Sequence, residues 1–129
     1  MTRRAIILAV DDNAQMLKEF ETLLVPRYEL RVVKAASEAI VFLNNNKCDL
    51  ILLDIDMPNI NGFQFLHDIR RIPSYFKVPI IIVSSNTGEE FFKKARSSSA
   101  NEVLSKPVSQ ERLVGAIHKA LVEAGIEHN

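Results

Sequence analysis

The chain has a single cysteine, no excess of either charge and no long apolar run, and each shortage closes off a class of function. Cys48 stands alone among 129 residues. That excludes an internal disulfide and a zinc cluster built on thiolates, and it fits a reducing, cytoplasmic compartment. The residue itself reads as a small, half-buried hydrophobe beside a strand. Sixteen basic residues are matched by sixteen acidic ones, so no surplus points to a direct nucleic-acid partner or to a membrane surface. Met1-Thr2-Arg3-Arg4 leads into six apolar residues, too few for a signal peptide's apolar region, and no run reaches the length of a membrane span. His67, His118 and His128 share no metal-ligand spacing and read as surface residues. There is no repeat, low-complexity segment or linker. A chain of 129 residues, 47% apolar and 25% charged, is expected to form one domain over residues 1–129, with a structured core at about 4–125.

What the chain does have is a set of apolar runs that stop on polar residues. Leu50-Ile51-Leu52-Leu53 is uninterrupted, as expected of a strand buried on both faces of a parallel sheet, and it halts at Asp54. Asp56, Pro58, Asn59, Asn61 and Gly62 then supply turn chemistry before a helix begins. Ala5 to Val10 is a second such run, ending on Asp11-Asp12. Val78 to Val83 is a third, with Pro79 tolerable only near its start, and it leads into Ser84-Ser85-Asn86. Glu29 to Lys34 alternates polar and apolar, which suits a strand nearer a sheet edge. Glu102-Val103-Leu104 is a short strand leading into Ser105-Lys106-Pro107.

Helical spacing fills the gaps. Met16, Phe20, Leu23 and Leu24 mark a first helix, capped by Asp12 or Asn13 and closed by Pro26. Ser37 offers a cap for a second, carrying Ala39, Ile40 and Leu43. Phe63, Phe65, Leu66, Ile69 and Ile72 mark a third, ended by Pro73. Asn86 or Thr87 can cap a fourth, in which Glu89 and Glu90 precede Lys93 and Lys94 by four residues. Phe91 and Phe92 are adjacent, so only one can face the sheet and the other is expected at the surface. Ser109 caps a last helix with Leu113, Ile117, Leu121 and Ala124 on one stripe. Five strands alternating with five helices predict an α/β fold: a doubly wound, five-stranded parallel sheet with helices on both faces.

In such sheets ligands bind beyond the carboxyl ends of the strands. Four polar clusters fall there: Asp11-Asp12, Asp54 with Asp56, Ser84, and Lys106. Several carboxylates in one pocket raise one another's pKa unless a cation is present. An all-oxygen donor set of this kind suits Mg²⁺, which keeps several waters and takes few protein carboxylates. A lysine and a hydroxyl opposite them can hold an anion. The combination is what a phosphoryl group needs, because its transfer is mostly positioning and charge stabilisation. One of the carboxylates can itself be the nucleophile. The bland reading of the same acids is as helix caps and turn residues.

With Asp11-Asp12, the Leu-Leu-Asp-Ile-Asp-Met-Pro-Asn-Ile-Asn-Gly stretch around Asp54, Ser84 and Lys106-Pro107 in this order and at these separations, the chain resembles the receiver domain of two-component response regulators over essentially its whole length. The resemblance implies the flavodoxin-like strand order 2-1-3-4-5. It implies that Asp54 is the phosphoacceptor, loaded by a sensor histidine kinase, a phosphotransfer protein or a small phosphodonor. Asp12 and Asp54 would hold Mg²⁺ directly, Asp11 would help through water, and Asp56 would offer its main-chain carbonyl. Lys106 would pair with the phosphate and Ser84 would move to it. Asp56 and Asn86 fall where such domains vary the lifetime of the acyl phosphate, and a cis bond would precede Pro107.

Two positions depart from the family pattern. Val103 stands where Tyr or Phe is usual, three residues before the lysine, which touches the output coupling and not the site. Ser97-Ser98-Ser99 replaces a turn that normally carries Gly, at a small conformational cost if a positive φ is required.

The implied function is a phosphorelay switch rather than an enzyme, with at most slow self-dephosphorylation. Its reporting surface would be the fourth helix, fifth strand and fifth helix. That surface would meet a downstream protein target or output domain and offers a route to homodimers. Two alternatives belong to other classes. One is an adaptor of the same fold that binds partners without phosphorylation. The other is a phosphatase of the haloacid dehalogenase type, which shares Asp-x-Asp (Asp54, Asp56) after a buried strand. That type wants Thr or Val where Pro58 stands, and a cap region for which the length leaves little room.

Overall fold

The computed structural model describes residues 3–128. The three uninterrupted apolar runs become β1 (Ile6–Val10), β3 (Leu50–Leu53) and β4 (Ile80–Ser84), each buried along almost its whole length. The two polar-patterned segments become β2 (Glu29–Val33) and β5 (Glu102–Ser105). One parallel sheet results, in the order β2-β1-β3-β4-β5. Burial explains the order. Strands apolar on both faces need helices above and below, so they take the centre, while Arg31, Val32 and Glu102 tolerate the exposed edges.

Alternation along the central strands divides the core into two layers. Ile7, Ala9, Leu50, Leu52, Ile81 and Val83 point to one face. There they meet α1 (Ala14–Leu24) and α5 (Gln110–Glu123) through Phe20, Leu24, Leu113 and Ile117. Leu8, Val10, Ile51, Leu53, Ile80 and Ile82 point to the other. Their partners are α2 (Ala36–Asn45), α3 (Gly62–Arg70) and α4 (Glu89–Arg96), through Leu43, Leu66, Ile69 and Ala95. Among the described residues no helix is long and apolar enough to cross a membrane.

The caps follow expectation in part. Asn13 caps α1, its side chain accepting from the Met16 N–H at 3.1 Å, which leaves Asp12 exposed. Ser109 caps α5 by accepting from the Arg112 N–H at 3.2 Å. Ser37 does not cap α2: the cap position falls two residues earlier, at Ala35, and the Glu38 carboxylate reaches back to the Lys34 N–H. Neither Asn86 nor Thr87 caps α4, which begins behind Gly88 with no side-chain cap. Asn86 spends its side-chain oxygen on the Gly88 N–H instead.

Other sequence expectations shift in detail. Ala120 and not Ala124 completes the buried stripe of α5. Phe91 and Phe92 are both half-buried, edge to face at 5.4 Å, because Phe91 also leans on Phe63 at 6.0 Å. The Ser97-Ser98-Ser99 turn carries no positive φ, so the missing glycine costs nothing there; Asn59 is the only non-glycine with one among the described residues. His67 and His118 are exposed, but His128 is half-buried and lies 3.2 Å from His118, nitrogen to nitrogen. Cis bonds precede Pro107 and also Pro26.

Candidate functional site

Register alone brings the polar strand ends together. Val10 pairs with Leu53, so Asp11 and Asp54 emerge side by side from adjacent strands. Ser84 pairs with Ser105, which sets Lys106 next in line, its N–H donating to the Ser84 carbonyl at 2.8 Å. β1 and β3 are neighbours at the sheet's centre and the helices switch face around them. The crevice at their carboxyl ends is the place where this topology opens a ligand site.

Asp11 is fully buried and Asp54 is 6% exposed. Each is fixed at one oxygen by the main chain. Asp11 Oδ1 accepts from the Asn13 N–H at 2.9 Å, and Asp54 Oδ1 accepts from the Asp56 N–H at 2.9 Å. The second oxygens face Lys106, whose Nζ lies 3.0 Å from Asp11 Oδ2 and 3.6 Å from Asp54 Oδ2. Asp54 Oδ2 therefore has a cation nearby but no hydrogen bond to it.

Burial is the main cause that pushes the Asp54 pKa up to about 6, and the Asp11 charge adds to it. The Asp56 N–H and the Lys106 charge work in the opposite direction and do not cancel it. For Lys106 burial acts to lower the pKa, yet the hydrogen bond it donates to Asp11 and the charges of Asp54 and Asp11 outweigh it. The ammonium is held above the ordinary lysine value.

The site has more negative charge than its one lysine can meet. Asp11, Asp12 and Asp54 each offer a carboxylate oxygen, and the three oxygens lie within 4.8 Å of one another. Oxygens sharing a six-coordinate Mg²⁺ sit about 3 Å apart as neighbours and about 4 Å apart across the ion. Hard oxygen donors, surplus charge and one exposed member, Asp12, through which a hydrated ion can enter, fit that cation.

Asp56 does not join the carboxylate group with its side chain. Its carboxylate turns to Ser84 and accepts a short hydrogen bond from the hydroxyl. Ser84 is buried, and its oxygen accepts from the Asn86 N–H at 3.0 Å. Sequence reading named Asp11, Asp12, Asp54, Asp56, Ser84 and Lys106, and the fold gathers all six at one rim through the contacts just given. It missed the Ser84–Asp56 contact, which joins the loop after β3 to the end of β4, two places that no local pattern relates. It also missed the constraint on Gly62. A Cβ there would stand 2.3 Å from the Cβ and the carbonyl oxygen of Ile55, so only glycine lets α3 start against the loop that carries Asp54 and Asp56. The run of turn residues ending in Gly62 was the available signal.

The response regulator receiver domain family matches residues 7–118. Protein PilH of Pseudomonas aeruginosa is 29% identical over 119 residues, covering 91% of this chain and 98% of that protein. The two-component response regulator ARR12 of Arabidopsis thaliana is 34% identical over 110 residues, 83% of this chain, but the match spans only 18% of ARR12. Among solved structures, the signal receiver domain of an HD domain-containing protein from Pseudomonas fluorescens superposes with a TM-score of 0.86 at 27% identity. That superposition covers 97% of this chain and 92% of the other.

Proposed function

The chain belongs to the response regulator receiver domain family, and on that premise we propose that residues 1–129 form one phosphoacceptor switch of a two-component system. The observation that carries the reading is the carboxylate of Asp54, a residue 6% exposed, whose Oδ2 lies 3.6 Å from the Lys106 ammonium and which groups with the carboxylates of Asp11 and Asp12. In the proposed step Asp54 Oδ2 attacks phosphorus as the P–N bond of a kinase or phosphotransfer phosphohistidine breaks. The bonding pair leaves with the imidazole, and an acyl phosphate remains on Asp54. Lys106 Nζ meets the developing charge on the phosphoryl oxygens. Asp11, fixed by the Asn13 N–H, keeps that lysine in place.

Asp12 and Asp54, helped by Asp11 and the Asp56 main-chain carbonyl, would hold Mg²⁺, which neutralises charge shared between carboxylates and phosphoryl group. Ser84 would turn its hydroxyl to a phosphoryl oxygen. The added charge is nearly two units. A differential stabilisation of about 2–3 kcal/mol between two states of the domain changes a rare active fraction roughly 30- to 150-fold. The family likeness directs the readout to α4, β5 and α5, toward a protein target, an output domain or a second copy, in the cytoplasm. The phosphatase reading finds no support beyond the Asp-x-Asp pair.

The test is to incubate the protein with Mg²⁺ and phosphoramidate and weigh it intact. One phosphoryl group is expected, absent in Asp54→Asn and absent when EDTA removes the divalent ion. No adduct with any donor would favour the adaptor reading, which Val103 in place of an aromatic also encourages.

A further inference from the structure

We propose that the Asp56 carboxylate is a competing acceptor for the Ser84 hydroxyl: it commits the serine's proton in the resting domain and must be displaced before Ser84 can serve a phosphoryl group on Asp54. The inference rests on the phosphoacceptor reading. A serine hydroxyl carries one proton, and in the structure that proton goes to Asp56 Oδ2. The lone-pair side of the same oxygen is taken by the Asn86 N–H at 3.0 Å. Ser84 is 1% exposed, so no water replaces either partner cheaply. It cannot donate to Asp56 and to a phosphoryl oxygen at once.

The two ends of the bond differ in a way that makes it reversible. Asp56 is exposed, so its released carboxylate returns to water at little cost. Ser84 is buried and needs a new acceptor, which the phosphoryl group alone supplies. Repulsion also favours release, since a phosphoryl group beside Asp56 places like charges together.

The bond ties the β3–α3 loop to the carboxyl end of β4. Movement of Ser84 pulls on Asn86, whose side chain holds the Gly88 N–H at 2.8 Å, just before a helix that has no side-chain cap. Asp56 thus becomes a positioning residue that sets how readily phosphorylation at Asp54 reaches α4.

The test is a double-mutant cycle on the affinity for beryllofluoride in the presence of Mg²⁺, a stable phosphoryl mimic read at equilibrium. Asp56→Ala should tighten binding about five- to tenfold when Ser84 is present, and less than about twofold in a Ser84→Ala background. Equal gains in both backgrounds would show that only the charge of Asp56 matters, and no gain would show that the bond holds nothing; either overturns the proposal. A second readout needs no phosphoryl chemistry. In the ¹H–¹⁵N spectrum of the resting protein, Asp56→Ala should displace the Asn86 and Gly88 amide signals, and an unmoved Asn86 amide refutes the bond. If wild type binds neither beryllofluoride nor phosphate while the amides move as expected, the phosphoacceptor reading fails and the contact stands.

Discussion

Asp49 and Asp54 bracket the same strand, β3, and their carboxyls are shifted in opposite directions. At the amino end, Asp49 takes 2.6 and 2.7 Å hydrogen bonds from both terminal nitrogens of Arg3 and one from the Ile6 N–H. The Arg3 bonds outweigh burial and hold its pKa below the ordinary carboxylate value. Close by, Arg70 donates to the carbonyls of Tyr75, Phe76, Val78 and Ser99 and to the Asn101 side chain, which in turn accepts from the Ile80 N–H. At the carboxyl end Asp54 shares one lysine with other acids, and its pKa rises to about 6. The lower rim is closed by matched partners and serves as an anchor. The upper rim is left short of positive charge, a shortage that the divalent ion of the proposed function would relieve.

The contrast can be broken from either side. The largest effect is expected from Gly62→Ala, because the added methyl group overlaps Ile55 between the two loop aspartates. Chemical denaturation should show a loss of about 3 kcal/mol, and adduct formation at Asp54 should slow. Next comes Arg70→Met, which strands its carbonyl acceptors at the lower rim. A loss of about 2 kcal/mol is expected, with the Asp54 adduct retained.

The third effect is of similar size and opposite sign. A carboxyl whose pKa is raised by folding stabilises the fold while protonated, and that contribution fades as pH climbs from about 4 to about 6. In EDTA, Asp54→Asn should match wild type near pH 4 and exceed it at pH 7 by on the order of 2 kcal/mol. Mg²⁺ should raise the wild-type Tm at pH 7 and shrink that gap. The smallest effect belongs to Asp49→Asn, a loss under about 1 kcal/mol at pH 7, since Arg3 is exposed to solvent. Its sign is reversed as well: a lowered pKa gives stability above about pH 4 that disappears as pH falls further. If the two aspartates showed the same pH slope, the electrostatic contrast between the rims would be wrong.

Sequence patterning was enough for the alternation of strands and helices, the central position of the three apolar runs and the identity of the acids, serine and lysine at the rim. Those features depend on period-two burial and on residue types that are costly to bury alone, both of which are written locally. The caps show the limit. Ser37, Asn86 and Thr87 are good cap residues by type, yet α2 and α4 start elsewhere, because Glu38 and Asn86 find other backbone donors once the loops are placed.

The order of residues by itself determined which groups arrive at the carboxyl edge of the sheet, since a strand's end is fixed by where its apolar run stops. Only the tertiary structure decided what those groups do with their protons and charges. Lys106 reaches Asp11 across 95 positions and Ser84 chooses Asp56 across 28. A hydrogen bond depends on the distance between atoms in space, a quantity that spacing along the chain does not contain.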